Sequence, residues 1–210
     1  MQQTSLATLG PTAPQRRKRA KGIYPKGARR PKPLPEYLVV AEVEGILRTA
    51  PHAQARLLIV LGWRAGLRIS EILNLQVSDL SLGEATPTLR VRMGKGKKDR
   101  VVPIHPELRV ALENFLNYSN IRHGYLFGIT RFTALRWVRQ AVNKAIELNQ
   151  LPSGRKIGTH TLRHSAARHW LASGVPINVV SRWLGHASIQ TTLIYLAILP
   201  DPAGYMERVP

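Results

Sequence analysis

Thr88-Leu-Arg-Val-Arg-Met93, Gly94-Lys-Gly-Lys-Lys-Asp99 and Arg100-Val-Val-Pro-Ile104 follow one another without a break. The first and third runs alternate with the two-residue period of a half-buried strand. The middle run is glycine-rich and basic, so the stretch predicts a β-hairpin with a lysine-bearing tip. Apolar residues on either side recur at three and four residues instead. Leu38, Val39, Val43, Ile46 and Leu47 predict a first helix entered from Glu36, and a second starts at Pro51, runs through Leu57, Leu58, Leu61 and Trp63, and stops at Gly66. Further helices are expected at 69–75, 106–118 and 133–148, then a polar loop at 149–158. Three closely spaced helices follow at 161–173, 176–184 and 188–199, broken at Gly174 and Gly185, with Ser188 as an N-cap. The expected fold class is mainly α with a small antiparallel β-sheet (α+β).

Charge narrows the partner. The 210 residues hold 31 Lys and Arg against 12 Asp and Glu, a formal net charge of +19, and 44% are hydrophobic, enough for a core. There is no cysteine, which excludes disulfides and thiolate-held metals. A surplus this large points to a polyanion, and nucleic acid fits best. The apolar run at 57–63 is about a third of the length that a bilayer requires, and no apolar stretch follows the basic run at 16–21 as a secretory leader needs. No membrane partner is expected. Residues 1–37 read as an extended basic arm rich in proline, in which Arg16, Arg17, Lys18 and Arg19 track DNA phosphates; a solubilising or targeting leader is the plainer alternative. The folded body is placed at 38–199 and a tail at 200–210.

Four clusters carry chemistry. Arg68 follows the helix-stopping Gly66 inside an apolar stretch, with Glu71 three residues on to hold it; a structural ion pair is the simpler reading. Lys95, Lys97 and Lys98 crown the hairpin, whose glycines permit close backbone approach to another chain. No phosphate-loop motif exists, so nucleotide-driven work has no site. His160 and Arg163 share a helical face suited to an oxyanion such as a phosphodiester. His160 and His164 lie four apart, but residue 161 is Thr and no acidic cluster stands near, so no metal is expected. His186 follows Leu184-Gly185, and Tyr195 lies nine residues beyond. Ile189, Leu193 and Leu196 are expected on one face of that last helix, and Tyr195 lies off it with its hydroxyl free to project. Together these groups describe phosphoryl transfer: Arg68 and Arg163 on the non-bridging oxygens, His160 and His186 giving hydrogen bonds and moving protons, Lys95 protonating the leaving oxygen, and Tyr195 attacking. No cofactor is called for.

The ordered set G-L-R-I-S-E (66–71), G-K-G-K-K-D-R-V-V-P-I (94–104), H-T-L-R-H (160–164), L-G-H (184–186) and T-T-L-I-Y (191–195) resembles the catalytic domain of the tyrosine recombinase (phage integrase) family across about residues 38–198. The resemblance implies Arg68, Lys95, His160, Arg163 and His186 as the activating set, Tyr195 as nucleophile and Glu71 as a supporting acid. His164 and His169 would support or pack. It implies a metal-independent transesterification through a 3′-phosphotyrosyl bond. The partners implied are double-stranded DNA with inverted-repeat recombination sites, a homotetramer on that DNA, and accessory DNA-bending proteins, in a bacterial cytoplasm at the nucleoid.

Most members carry a helical DNA-clamping domain ahead of this body. Here about 35 residues precede it, as in the short fimbrial DNA-inversion recombinases; loss of the clamp by truncation is the alternative. Two other functions fit parts of the chain. Residues 171–184 read as a helix-turn-helix, with Ser181 and Arg182 facing a major groove, as in a non-catalytic regulator. Type IB topoisomerase-like relaxation would use the same chemistry without strand exchange.

Overall fold

A computed structural model of the chain describes residues 34–92 and 99–199. The expected arm up to residue 33, with Arg16, Arg17, Lys18 and Arg19, lies outside the described residues. So do Lys95, Lys97, Lys98 and the tail at 200–210.

The core forms around α2 (Ala53–Arg64), whose residues 57–63 are all buried. A helix apolar on nearly every side must be covered on every side, and α1 (Val40–Arg48), α4 (Pro106–Ser119), α5 (Arg131–Glu147) and α6 (Thr159–Ala172) all pack against it. His52 caps α2 by accepting the Ala55 N–H at 3.2 Å, so the helix starts two residues after the expected Pro51. The stop at Gly66 is as expected. Its φ is +60°, and a Cβ there would lie 2.8 Å from Trp170 Cη2 and 3.1 Å from Leu184 Cδ2. Gly66→Ala therefore meets both a left-handed backbone and a full cavity. We expect a loss of about 2 kcal/mol or more in urea unfolding; an unchanged midpoint would refute the packing argument.

The hairpin is present. β2 (Thr88–Val91) and β3 (Arg100–Pro103) pair antiparallel with Val91 opposite Arg100, and the two-residue β1 (Leu80–Ser81), which periodicity cannot detect, adds to β2. Leu89, Val91 and Val102 face the core. Arg100 sits on the same inward side and is buried.

α3 (Ile69–Leu73) is shorter than expected. α6, α7 (Ile177–Leu184) and the last segment enclose a second apolar cluster of Ala167, Leu171, Val180, Leu184, Tyr195 and Ile198. Gly174 and Gly185 break the helices at φ +86° and +65°. The expected single helix at 188–199 is corrected. α8 covers only Gln190–Leu193, and Leu196–Ile198 is a 3-10 turn. Thr191, Thr192 and Ile194 are β-branched and weaken the α-helix. The buried residues Thr192, Tyr195 and Ile198 recur every three positions, the repeat of a 3-10 turn. The expected projection of Tyr195 is also corrected: it is 2% exposed, whereas Ile189, Leu193 and Leu196 are 44%, 45% and 45% exposed. Among the described residues no helix is long and apolar enough to cross a membrane.

Candidate active site

Gly66 ends α2 and turns the chain so that Arg68 opens α3. The Glu71 carboxylate reaches back to the Arg68 N–H at 2.8 Å and to its Nη1 at 2.9 Å, so the three-residue spacing does what the sequence suggests. Glu71 has two further partners. Arg100 donates from Nη1 and Nη2 at 2.9 and 2.8 Å, and Arg163 Nη1 lies 3.7 Å away. Arg100 is the group that sequence reasoning missed.

Three main-chain carbonyls complete the frame. Trp183 accepts from Arg100 Nε at 2.7 Å, Gly66 from Arg163 Nη1 at 2.6 Å, and Leu184 from Arg163 Nη2. Gly185 lets the chain pass close over Arg100; a Cβ there would lie 2.9 Å from Arg100 Nη1. The Leu184-Gly185-His186 motif is thus a turn pressed onto arginines. This also ties down the carboxyl end of α7, the helix whose sequence suggested groove recognition. Arg182, on the same helix, is exposed.

One carboxylate thus serves three guanidiniums. Burial opposes the Glu71 charge, but the Arg100 hydrogen bond and charge, the Arg68 N–H and Arg163 overcome it and hold the carboxyl at about 2. Arg163 shows the opposite imbalance. Burial and the neighbouring charges of Arg68 and Arg100 outweigh Glu71 and lower it to about 10, still charged at neutral pH. The cluster holds more positive charge than its carboxylate can neutralise, an arrangement suited to an oxyanion.

Tyr195 closes the pocket from its own chain. Its hydroxyl lies 2.8 Å from His164 Nδ1, and its ring is nearly parallel to His186 at a centroid distance of 6.4 Å and 16°. It does not project freely, as the sequence suggested. Burial raises its pKa, while Arg163 and Arg68 pull it back. His186 Nδ1 is 2.7 Å from the buried Thr192 Oγ1. Burial and then Arg163, Arg68 and Arg100 hold His186 at about 4, so it is neutral near pH 7 and carries a hydrogen to donate rather than a charge. His160 stays exposed on the first turn of α6, 6.5 Å ring to ring from His164, while Arg163 is buried. His169 packs against Trp63 at 5.0 Å. Among the described residues no group of three His, Asp or Glu could hold a metal ion.

The pattern of the Phage integrase family matches residues 36–201. The chain belongs to that family. A tyrosine recombinase of Pseudothermotoga lettingae is 35% identical over 181 residues, 83% of this chain and 61% of the relative. The tyrosine recombinase XerA of Pyrococcus horikoshii is 36% identical over 177 residues, 82% of this chain and 60% of the relative. This phage integrase chain therefore spans about three-fifths of the curated relatives that it matches. Among solved structures, the XerA recombinase superposes with a TM-score of 0.71 at 30% identity, covering 86% of this chain and 67% of that one. The XerH site-specific recombinase, bound to a palindromic difH substrate in a post-cleavage complex, gives 0.68 at 26% identity over 84% and 52%. The mainly α architecture with its small antiparallel sheet is that of the tyrosine recombinase catalytic domain.

Proposed function

We propose that this chain is a site-specific recombinase that cuts and rejoins double-stranded DNA through a 3′-phosphotyrosyl bond to Tyr195. The observation that carries the proposal is the buried Tyr195, within electrostatic reach of Arg163 and Arg68 in a cluster of three arginines around one carboxylate. Arg68 and Arg163 hold the non-bridging oxygens and the charge that grows in the transition state. His186 and His160 donate hydrogen bonds to the same oxygens. Lys95 protonates the leaving 5′ oxygen. Glu71 positions Arg68 and Arg163, and Arg100 shares its carboxylate. The ester conserves the energy of the broken bond, so rejoining needs no nucleotide.

The similar XerH chain was captured on a palindromic substrate, which supports inverted-repeat sites and several copies acting on one DNA. A homotetramer is the arrangement proposed. The exposed apolar strip of Ile189, Leu193 and Leu196 beside Tyr195 suits contact between copies. The arm at 1–37, Lys97, Lys98 and Arg182 add phosphate contacts, so affinity falls steeply with salt. Accessory DNA-bending proteins and a place at the bacterial nucleoid belong to the same proposal.

The test is a covalent adduct. The protein is mixed with a library of randomised duplexes, quenched in denaturant and digested, and the peptides are sequenced by mass spectrometry. We expect a nucleotide on Tyr195, linked through the DNA 3′ end. Reversible binding with no adduct would favour the helix-turn-helix regulator. Supercoil relaxation without exchange between two recovered sites would favour the topoisomerase variant.

A further inference from the structure

We infer that His164 is the proton acceptor for Tyr195: its Nδ1 takes the phenolic hydrogen as Oη attacks the DNA phosphate. This rests on the reading of Tyr195 as nucleophile and adds a catalytic residue to it. The contact is direct, 2.8 Å between Nδ1 and Oη, across 31 residues of sequence.

The other candidates for the role are engaged elsewhere. Glu71 is spent on Arg68, Arg100 and Arg163. The His186 ring is nearly parallel to that of Tyr195 at 6.4 Å, and its Nδ1 is engaged by Thr192. His160 is exposed at the start of α6, its ring 6.5 Å from that of His164, and is assigned to the phosphate oxygens. Tyr195 itself is 2% exposed, so bulk water is a poor acceptor.

The groups that face His164 explain how it acts. His160 and Arg163 flank it on α6, His186 faces it from the turn after α7, and Tyr195 faces it from the segment after α8. Burial, then His160 and Arg163, lower the imidazole to about 4, so near pH 7 it is neutral and keeps a lone pair. A phosphodiester seated on Arg68 and Arg163 offsets the field that disfavours the imidazolium. The phenol meanwhile becomes more acidic as its oxygen bonds to phosphorus. The acceptor is thus weak in the empty pocket and stronger once DNA is bound.

The step balances. The Oη–P bond forms and the phenolic proton passes to Nδ1. The P–O5′ bond breaks, and the 5′ oxygen takes the proton assigned to Lys95. On rejoining, Nδ1–H returns its proton to Oη.

Two measurements test this. In the free protein with isotope-labelled histidine, NMR should find the hydrogen of His164 on Nε2 and Nδ1 bare; a hydrogen on Nδ1 would overturn the proposal, and this needs no DNA. The second uses a duplex of the sequence recovered from the adduct. His164→Asn keeps an acceptor near Nδ1 but takes no proton. It should slow single-turnover adduct formation by about 10²-fold, with a rate that keeps rising above neutral pH. A more acidic fluorotyrosine at position 195 should recover much more rate in His164→Asn than in the wild type. An unchanged rate in His164→Asn, or equal gains from fluorination in both backgrounds, would leave His164 a packing residue. A wild type with no adduct at all would instead remove the nucleophile reading.

Discussion

Glu71→Gln should lower the melting temperature by roughly 10 °C and make the unfolding less sensitive to acid. Glutamine keeps the shape and some hydrogen bonds but removes the charge that balances Arg100, Arg163 and Arg68. The Arg100 side chain is 6% exposed and that of Arg163 4%. Breaking a buried pair from one side costs about 3–5 kcal/mol, and each kcal/mol is worth about 2–4 °C in a body of this size. The pH effect follows from the same carboxyl. Its folded pKa of about 2 lies below its ordinary 4.5, so the folded state binds fewer protons between those values. Its contribution, on the order of 3 kcal/mol, is complete above pH 4.5 and disappears as pH falls to about 2. Wild-type stability should decline through that window, and the variant should lack this component. Melts recorded from pH 2 to 7 on both proteins check it; parallel curves would show that Glu71 is not the keystone of the cluster.

Why that keystone was only half legible is instructive. The Arg68–Glu71 pair is local, three residues apart at a helix start, and spacing reveals it. Arg100 was readable in principle. Arg100 and Val102 share the inward side of β3, Ile104 just beyond it continues the alternation, and two of those three are apolar core residues. An arginine on the inward side of a strand needs a buried anion, but the hairpin drew notice for its lysines instead. Tyr195 failed for another reason. An amphipathic reading assigns the apolar face to the chain's own core. Here Ile189, Leu193 and Leu196 stay exposed, and the polar Thr192 turns inward to His186. The contacts of Tyr195 with His164 and of Leu184 with Arg163 join segments that no periodicity connects. Most of the helices, the paired strands and the glycine stops were legible because propensity and burial agree there.

Arg68→Ala should reduce cleavage of the recovered duplex by about 10²–10³-fold while leaving the fold and most DNA binding intact. Arg68 sits at the mouth of the pocket with its side chain 34% exposed, against 4% for Arg163. Its ion pair with Glu71 is therefore solvent-screened and contributes little to stability. The Arg68 N–H bond to Glu71 survives truncation, and Arg100 still holds the carboxylate. What disappears is one of the two guanidiniums proposed to hold the phosphate oxygens. Arg163→Ala should lose cleavage too, but it also strands the Gly66 and Leu184 carbonyls and lowers the melting temperature. The pair of variants thus separates charge placement from scaffolding. Millimolar guanidinium should restore part of the Arg68→Ala rate, because the vacated mouth is open to solvent, and should do nothing for Arg163→Ala. Single-turnover adduct formation, duplex affinity and thermal melts on both variants give the answer. Full cleavage by Arg68→Ala would mean that this guanidinium never meets the phosphate.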